Sequence, residues 1–186
     1  MSAAPEEEKF PEIAEYDEII SAYHGTDARC ATLIVSSRFT IGHKSTLYLG
    51  DGVYFYQGCR DWALDWARTH DKIPPVVIRS IVSMGKCLDF TNKFYSAHFL
   101  EFCTKLRTRL ASKERTRSLL NKMTDATVIN MIANKTPVDT VRAEYHLDRR
   151  AFEASKIRLD SRLVVCVRNL DKIRESEIDT NSRPSP

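Results

Sequence analysis

Two short runs carry the groups of this chain best suited to chemistry. Tyr23-His24-Gly25-Thr26 closes a run that reads as a strand, and Gly50-Asp51-Gly52-Val53-Tyr54-Phe55 leads into the helical stretch Trp62–Ala67. A strand-terminal histidine can donate a hydrogen bond to a ribose hydroxyl, and Gly25 would leave its main-chain N–H and C=O open to an amide group. Gly50 and Gly52 allow close backbone approach. The Tyr54 ring can then flank the mouth of a cleft, with Trp66 as the opposite wall. A planar cationic ring held between such walls gains about 0.5–2 kcal/mol per ring from cation–π attraction. These groups could grip a dinucleotide without a phosphate-binding glycine loop. The plainer alternative makes His24 a strand cap, Gly25 a turn and the aromatics core residues; for Phe55 and Trp62 the core role is the better reading.

The elements that must position these groups follow from the pattern. Residues 1–14 are acidic, hold two prolines and read as a mobile lead-in. Glu15 to Tyr23 reads as a strand, Asp27 to Val35 as a short helix, Ser36 to Thr46 as a loop and Tyr48 to Tyr56 as a second strand region. Asp61 to His70 is an amphipathic helix in which Trp62 and Trp66 share a face. Val76 to Met84 is an apolar strand and Cys87 to Phe90 a short one, with a helical pattern from Phe94 to about Lys135. Asp139 to Leu147 and Arg162 to Asn169 read as closing strands, the latter rich in the β-branched residues of a buried strand. Residues 175–186 read as a frayed tail. The expectation is one α+β domain over residues 15–174, with strands at both ends and helices inserted between them.

Composition narrows the class. The chain has 186 residues, 42% hydrophobic and 28% charged, enough for one core without staples. No apolar run reaches the eighteen or more residues of a membrane span, and the first residues lack the basic and apolar regions of a secretory signal. Five cysteines show no CxxC pair and no histidine at metal-ligand spacing, which reads as small buried hydrophobes of a reduced, intracellular protein and no metal site. The formal charge of +3 is uneven: residues 1–20 carry a net −6, leaving +9 for the rest. That excess gathers in Lys105, Arg107, Arg109, Lys113, Arg115, Arg117 and Lys122, and in Arg149, Arg150, Lys156 and Arg158. Such runs ordinarily form solvated helix faces; the alternative is a footprint for nucleic acid or an acidic protein.

Taken together, the motifs resemble the ADP-ribosyltransferase superfamily, in its diphtheria-toxin and poly(ADP-ribose)-polymerase-like branch, which is recognised by a His-Tyr-Glu triad. His24, within His24-Gly25-Thr26, matches the family's His-Gly strand end, and Tyr54, within Gly52-Val53-Tyr54-Phe55, matches the triad tyrosine. The resemblance implies that His24 holds the adenosine-side ribose, that Gly25 pairs with the nicotinamide carboxamide and that Tyr54 stacks on nicotinamide. Thr26 lies in the same NAD-binding run. Trp66 falls within one residue of a second stacking aromatic, while Trp62 and Ala63 occupy the neighbourhood where many members carry a small hydroxyl residue. Val164-Val165-Cys166-Val167 resembles the last catalytic strand, with Val164 in the place of the triad Glu. That departure argues against polymer synthesis. Glu153 is the substitute acid, with Asp160 and Glu144 as weaker candidates.

The resemblance implies an ADP-ribosyltransferase-like split antiparallel β-sandwich with inserted helices around an NAD cleft. It implies a mono-ADP-ribosyltransferase that consumes NAD, needs no metal and modifies a protein or nucleic acid, acting in its own cytoplasm or in that of a target cell as a toxin or effector with a neutralising partner. The alternatives are a catalytically degenerate module that binds NAD or ADP-ribose, and an RNA 2′-phosphotransferase-like enzyme.

Overall fold

The computed structural model describes residues 9–42, 48–112, 114–146 and 161–180. It has an α+β architecture built on one mixed, six-stranded sheet. In chain order the elements are β1 (Glu15–Asp27), α1 (Ala28–Ser37), β2 (Val53–Gln57), α2 (Arg60–Thr69), β3 (Pro75–Asp89), α3 (Lys93–Ala111), a single turn α4 (Glu114–Arg117), α5 (Asp125–Ala133), β4 (Thr140–His146), β5 (Ser161–Val167) and β6 (Ile173–Ile178). The pairings run β1–β2–β5–β4–β3 and return from β3 to β1, closing a ring; β6 also pairs with β3. All are antiparallel except β3–β4, which is parallel over Cys87–Asp89, so the sheet is mixed where an antiparallel one was expected.

Long β3 organises this ring. It pairs with β1 from Glu15↔Lys86 to Asp27↔Pro75. Because Val76, Val77 and Ile78 are strand formers opposite Thr26, Gly25 and His24, β1 continues four residues beyond Tyr23, its expected end. His24 and Gly25 therefore sit inside a strand and not at its opening into a turn. The two β3 segments expected from sequence are one strand for the same reason.

Strand alternation divides the apolar residues between the two faces. On β5, Val165 and Val167 join Ile20, Ala22, Phe39, Val53, Phe55, Ile78 and Val82 on one side. Val164 and Cys166 join Phe10, Ile13, Leu49, Leu106, Val128, Ile129 and Ile132 on the other. The first cluster is completed by Ala31 of α1 and the second is covered by α3 and α5. Each fully buried valine stabilises the fold by about 1.5–3 kcal/mol. Both faces of β5 are buried, as its unbroken apolar run requires.

The helices begin where side chains satisfy their first N–H groups. Asp27 accepts from the Cys30 N–H at 2.8 Å, Asn92 from Phe94 and Thr124 from Thr127. Asp27 is held below the usual carboxylate pKa chiefly by that Cys30 bond.

Two terminal expectations are corrected. Phe10 and Ile13 are buried in the core and the Ala14 N–H donates to the Tyr95 hydroxyl at 2.7 Å, so residues 9–14 are packed and not a mobile lead-in. Residues 175–178, expected to fray, belong to β6, which pairs with Ile78–Val82.

A polar cluster links β1, β3 and β4. Arg142 donates to Glu18 at 2.7 Å and to Asp89 at 2.6 Å, and Asp89 also accepts from the main chain and hydroxyl of Thr91. Burial pushes the Asp89 carboxyl up, but the bonds from Arg142 and Thr91 outweigh it and hold it below the usual range. No helix among the described residues is long and apolar enough to cross a membrane.

Candidate functional site

The two motifs meet where β1 and β2 part. The β1–β2 ladder consists of Ala22↔Gln57 and Tyr23↔Tyr56. One residue further along β1, a side chain takes over from the main chain: His24 Nδ1 lies 2.8 Å from the Tyr54 carbonyl oxygen. A carbonyl only accepts, so in the neutral ring Nδ1 carries the proton and Nε2 is the acceptor. The imidazole is set edge-on to Phe39 with centroids 5.3 Å apart and tilted against Phe55 at 5.8 Å. Burial lowers its pKa below the ordinary histidine value. The Tyr54 bond opposes this less strongly, and the charge of Lys72 adds to the lowering. Nε2 has no hydrogen-bond partner among the described residues.

Tyr54 is bound quite differently. Its hydroxyl donates to the Gly50 carbonyl at 2.8 Å and accepts from the Leu49 N–H at 2.8 Å. The loop it closes is clamped again from outside. Asn130 of α5 accepts from the Asp51 N–H at 3.0 Å and from Arg168 at 2.8 Å, and Arg168 donates to the Asp51 carbonyl at 2.9 Å. Gly50 has φ +82°, and a Cβ there would come within 2.5 Å of Asn130 Oδ1, so only glycine suits the position. Burial raises the Tyr54 phenol well above its ordinary pKa and pushes the Cys166 thiol beside it up to about 12. Both groups are neutral at physiological pH.

Strand parity puts the two side chains on opposite faces. His24 packs with Phe39 and Phe55, whereas Tyr54 packs with the cluster containing Val164 and Cys166 and tilts against Tyr48 at 5.7 Å. Gly25 is buried beneath α2: a Cβ there would collide with the Ala63 carbonyl and come 3.2 Å from the Ala67 Cβ. Its outer face is thus taken by a helix rather than left open. Thr26 is buried opposite Val76. Trp66 stacks on His70 with centroids 4.3 Å apart and ring planes nearly parallel, so one face of its indole is taken by that contact. Val164 is buried and pairs with Tyr56 and Ala143. Glu144 is exposed on β4 with His146 at 3.3 Å. Glu153 and Asp160 lie outside the described residues. Among the described residues, no three His, Cys, Asp or Glu side chains are grouped to hold a metal ion.

No family model, no curated protein and no solved structure matches this chain. The site therefore stands on its own geometry.

Sequence reasoning passed over several residues that shape it. Phe39 both encloses His24 and lines a cavity of about 440 Å³ between the end of α1 and β6, bordered also by Ile34, Arg38, Leu170 and Arg174. Arg38 is held at φ 133°, ψ 167°, a region that in practice only glycine occupies. Its strain lies one residue from the ring that touches His24. Asn130 and Arg168 had no local signal, since each acts on the glycine loop from a distant part of the chain.

Proposed function

We propose that this protein is an NAD-dependent mono-ADP-ribosyltransferase of a macromolecular acceptor. The observation that carries the reading is the His24–Tyr54 hydrogen bond. It joins the two motifs where two neighbouring strands separate, and it leaves a neutral imidazole nitrogen able to accept from a ribose hydroxyl. The α+β architecture, with β1 and β2 splayed beyond Tyr23, supports the same reading.

In the proposed reaction the bond between nicotinamide and ribose breaks and its electron pair leaves with nicotinamide. Positive charge develops at the anomeric carbon, and a nucleophile of the acceptor attacks there and loses its proton. The protein mainly has to orient NAD and exclude water. His24 would hold the ribose. Tyr54, whose ring lies on the opposite face of the sheet, would not line that cleft; it would fix β2 and the glycine loop through its bonds to Leu49 and Gly50. Nicotinamide would reach the Gly25 main chain only if α2 moved off it, because Ala63 covers that glycine.

Incubation with NAD labelled in the adenylate half, in the presence of cell lysate, should transfer label to macromolecules and release free nicotinamide. Equal turnover by the wild type and by a His24→Ala, Tyr54→Ala double variant would exclude the reading. The burial of Val164 favours a second possibility, a module that binds NAD or ADP-ribose without transfer, since a valine can neither hold ribose hydroxyls nor stabilise the cation. Under that reading calorimetry registers NAD binding and no nicotinamide appears.

A further inference from the structure

Two groups of cations contrast among the described residues. Arg60, Arg68, Lys72, Arg79, Arg142 and Lys172 each lie within 4.0 Å of an acidic side chain. By contrast, Arg107, Arg109, Arg117 and Lys122 are all exposed and none has an ion-pair partner among the described residues. They belong to a segment, residues 102–124, that holds seven basic residues and a single acid, Glu114. Ordinary surface design disperses and pairs such charge; here it is concentrated, and although Lys105 pairs with Glu101 at 2.8 Å, the four cations named have no such partner among the described residues.

The geometry of α3 gives that charge a shape. Leu106 is buried and marks the side of the helix that faces the core. At roughly 100° per residue, Arg107 lies on one flank of the helix and Arg109 on the other. Thr108 and Thr104 occupy the solvent-facing ridge between them, with hydroxyls donating to main-chain carbonyls one turn back. Leu100, also exposed, continues that ridge. Beyond the helix the chain folds back: the Thr116 hydroxyl donates to the Leu110 carbonyl at 3.0 Å, which sets Arg117 beside the helix end. The result is a convex ridge of small hydroxyl side chains with cations on both flanks.

We infer that the C-terminal half of α3, with the α4 turn and Lys122, is a docking surface for double-stranded DNA. A flat or concave acidic protein would engage one flank. A duplex offers two rows of phosphates on either side of a groove about 12 Å wide, which admits a helix of about 10–12 Å diameter. The four cations contact phosphates, so recognition is of the backbone and not of sequence. This surface does not depend on the NAD reading.

The test is fluorescence anisotropy with a labelled 20-base-pair DNA duplex, titrated across potassium chloride concentrations. Four phosphate contacts predict a slope of log K against log salt of about −3.6. Replacing Arg107, Arg109, Arg117 and Lys122 together by Glu should lower affinity at low salt by at least about 30-fold and flatten the slope to below about 1 in magnitude. All four are exposed, and circular dichroism melts confirm that the variant is folded. A control that reverses the paired, exposed Arg68 and Arg79 should leave binding within about twofold. Equal losses in the two variants would overturn the proposal, as would tighter binding of polyglutamate or of a single strand than of the duplex.

Discussion

The His24 and Tyr54 motifs meet through one hydrogen bond, yet they are built on different principles. In the Gly50–Tyr54 region each polar group with an assigned partner is held inside the protein, and the one residue with positive φ is a glycine. On the His24 side, an acceptor nitrogen is left without a described partner, and the residue with positive φ nearby is an arginine beside a cavity. The first arrangement is what a rigid frame requires. The second leaves strain and hydrogen-bonding capacity where a ligand could use them. The proposed roles follow that difference: Tyr54 braces the glycine loop, and His24 is the group that would meet a substrate.

The sharpest way to break this contrast is to disturb the packing common to both motifs. Gly25→Val would drive a side chain into the α2 backbone at Ala63, and overpacking of this kind costs about 1–3 kcal/mol or more. A thermal melt should fall by about 5–10 °C, if the variant folds at all. Gly58→Ala meets no atom within 4 Å and has only its positive φ to overcome, so its fall should be clearly smaller. Comparable losses at the two positions would remove the claim that α2 seals Gly25.

Next in size is Tyr54→Phe. It keeps the ring but leaves the Leu49 N–H and the Gly50 carbonyl without their partner, a loss of about 1–3 kcal/mol read by urea denaturation. A neutral result would mean that the glycine loop is held by Asn130 and Arg168 alone. Arg38→Gly should act in the opposite direction. Relief of the strained backbone outweighs the added freedom of the unfolded chain and raises stability by about 1 kcal/mol. A loss of stability there would place the strain elsewhere.

The smallest effect is one of pH. The folded protein holds the His24 pKa below its unfolded value of 6.5, so the unfolded chain binds the proton first as pH falls. The stability contributed by the neutral ring is complete above about pH 6.5 and declines below it, until the folded-state ring also protonates. His24→Asn can still donate to the Tyr54 carbonyl and should flatten the stability curve between pH 6.5 and 5. The lowered carboxylates, Asp89 and Asp139, lose their contribution only below about pH 4, so the two windows do not overlap.

What could be read from sequence was whatever local pattern determines. The apolar run Leu163–Val167 marked β5, and the i, i+4 spacing of Trp62 and Trp66 marked α2, because burial and periodicity are properties of the segment itself. The end of β1 was misplaced because Thr26 and Asp27 become strand only through the β3 residues that face them. β6 was missed because residues 175–186, with Asn181, Ser182, Pro184 and Pro186, read as a frayed tail, and the pairing of Ile173–Ile178 with Ile78–Val82 lies in a distant part of the chain. Phe10 and Ile13 were hidden among acids for a similar reason. At the site, residue types suggested what His24 and Tyr54 could do, but not that parity would place their rings on opposite faces. Nor could they show that Ala63 would lie over Gly25, since both facts depend on register between distant segments.

The central claim is that the Nε2 atom of His24 is held ready for a ribose hydroxyl. Calorimetric titration of NAD into the wild type and into His24→Ala tests it most directly, with a melt of each protein alongside. The account predicts saturable binding to the wild type and an affinity at least about tenfold weaker in the folded variant, the loss of about one hydrogen bond. Equal affinity in the two proteins, or no binding of NAD by either, would contradict it.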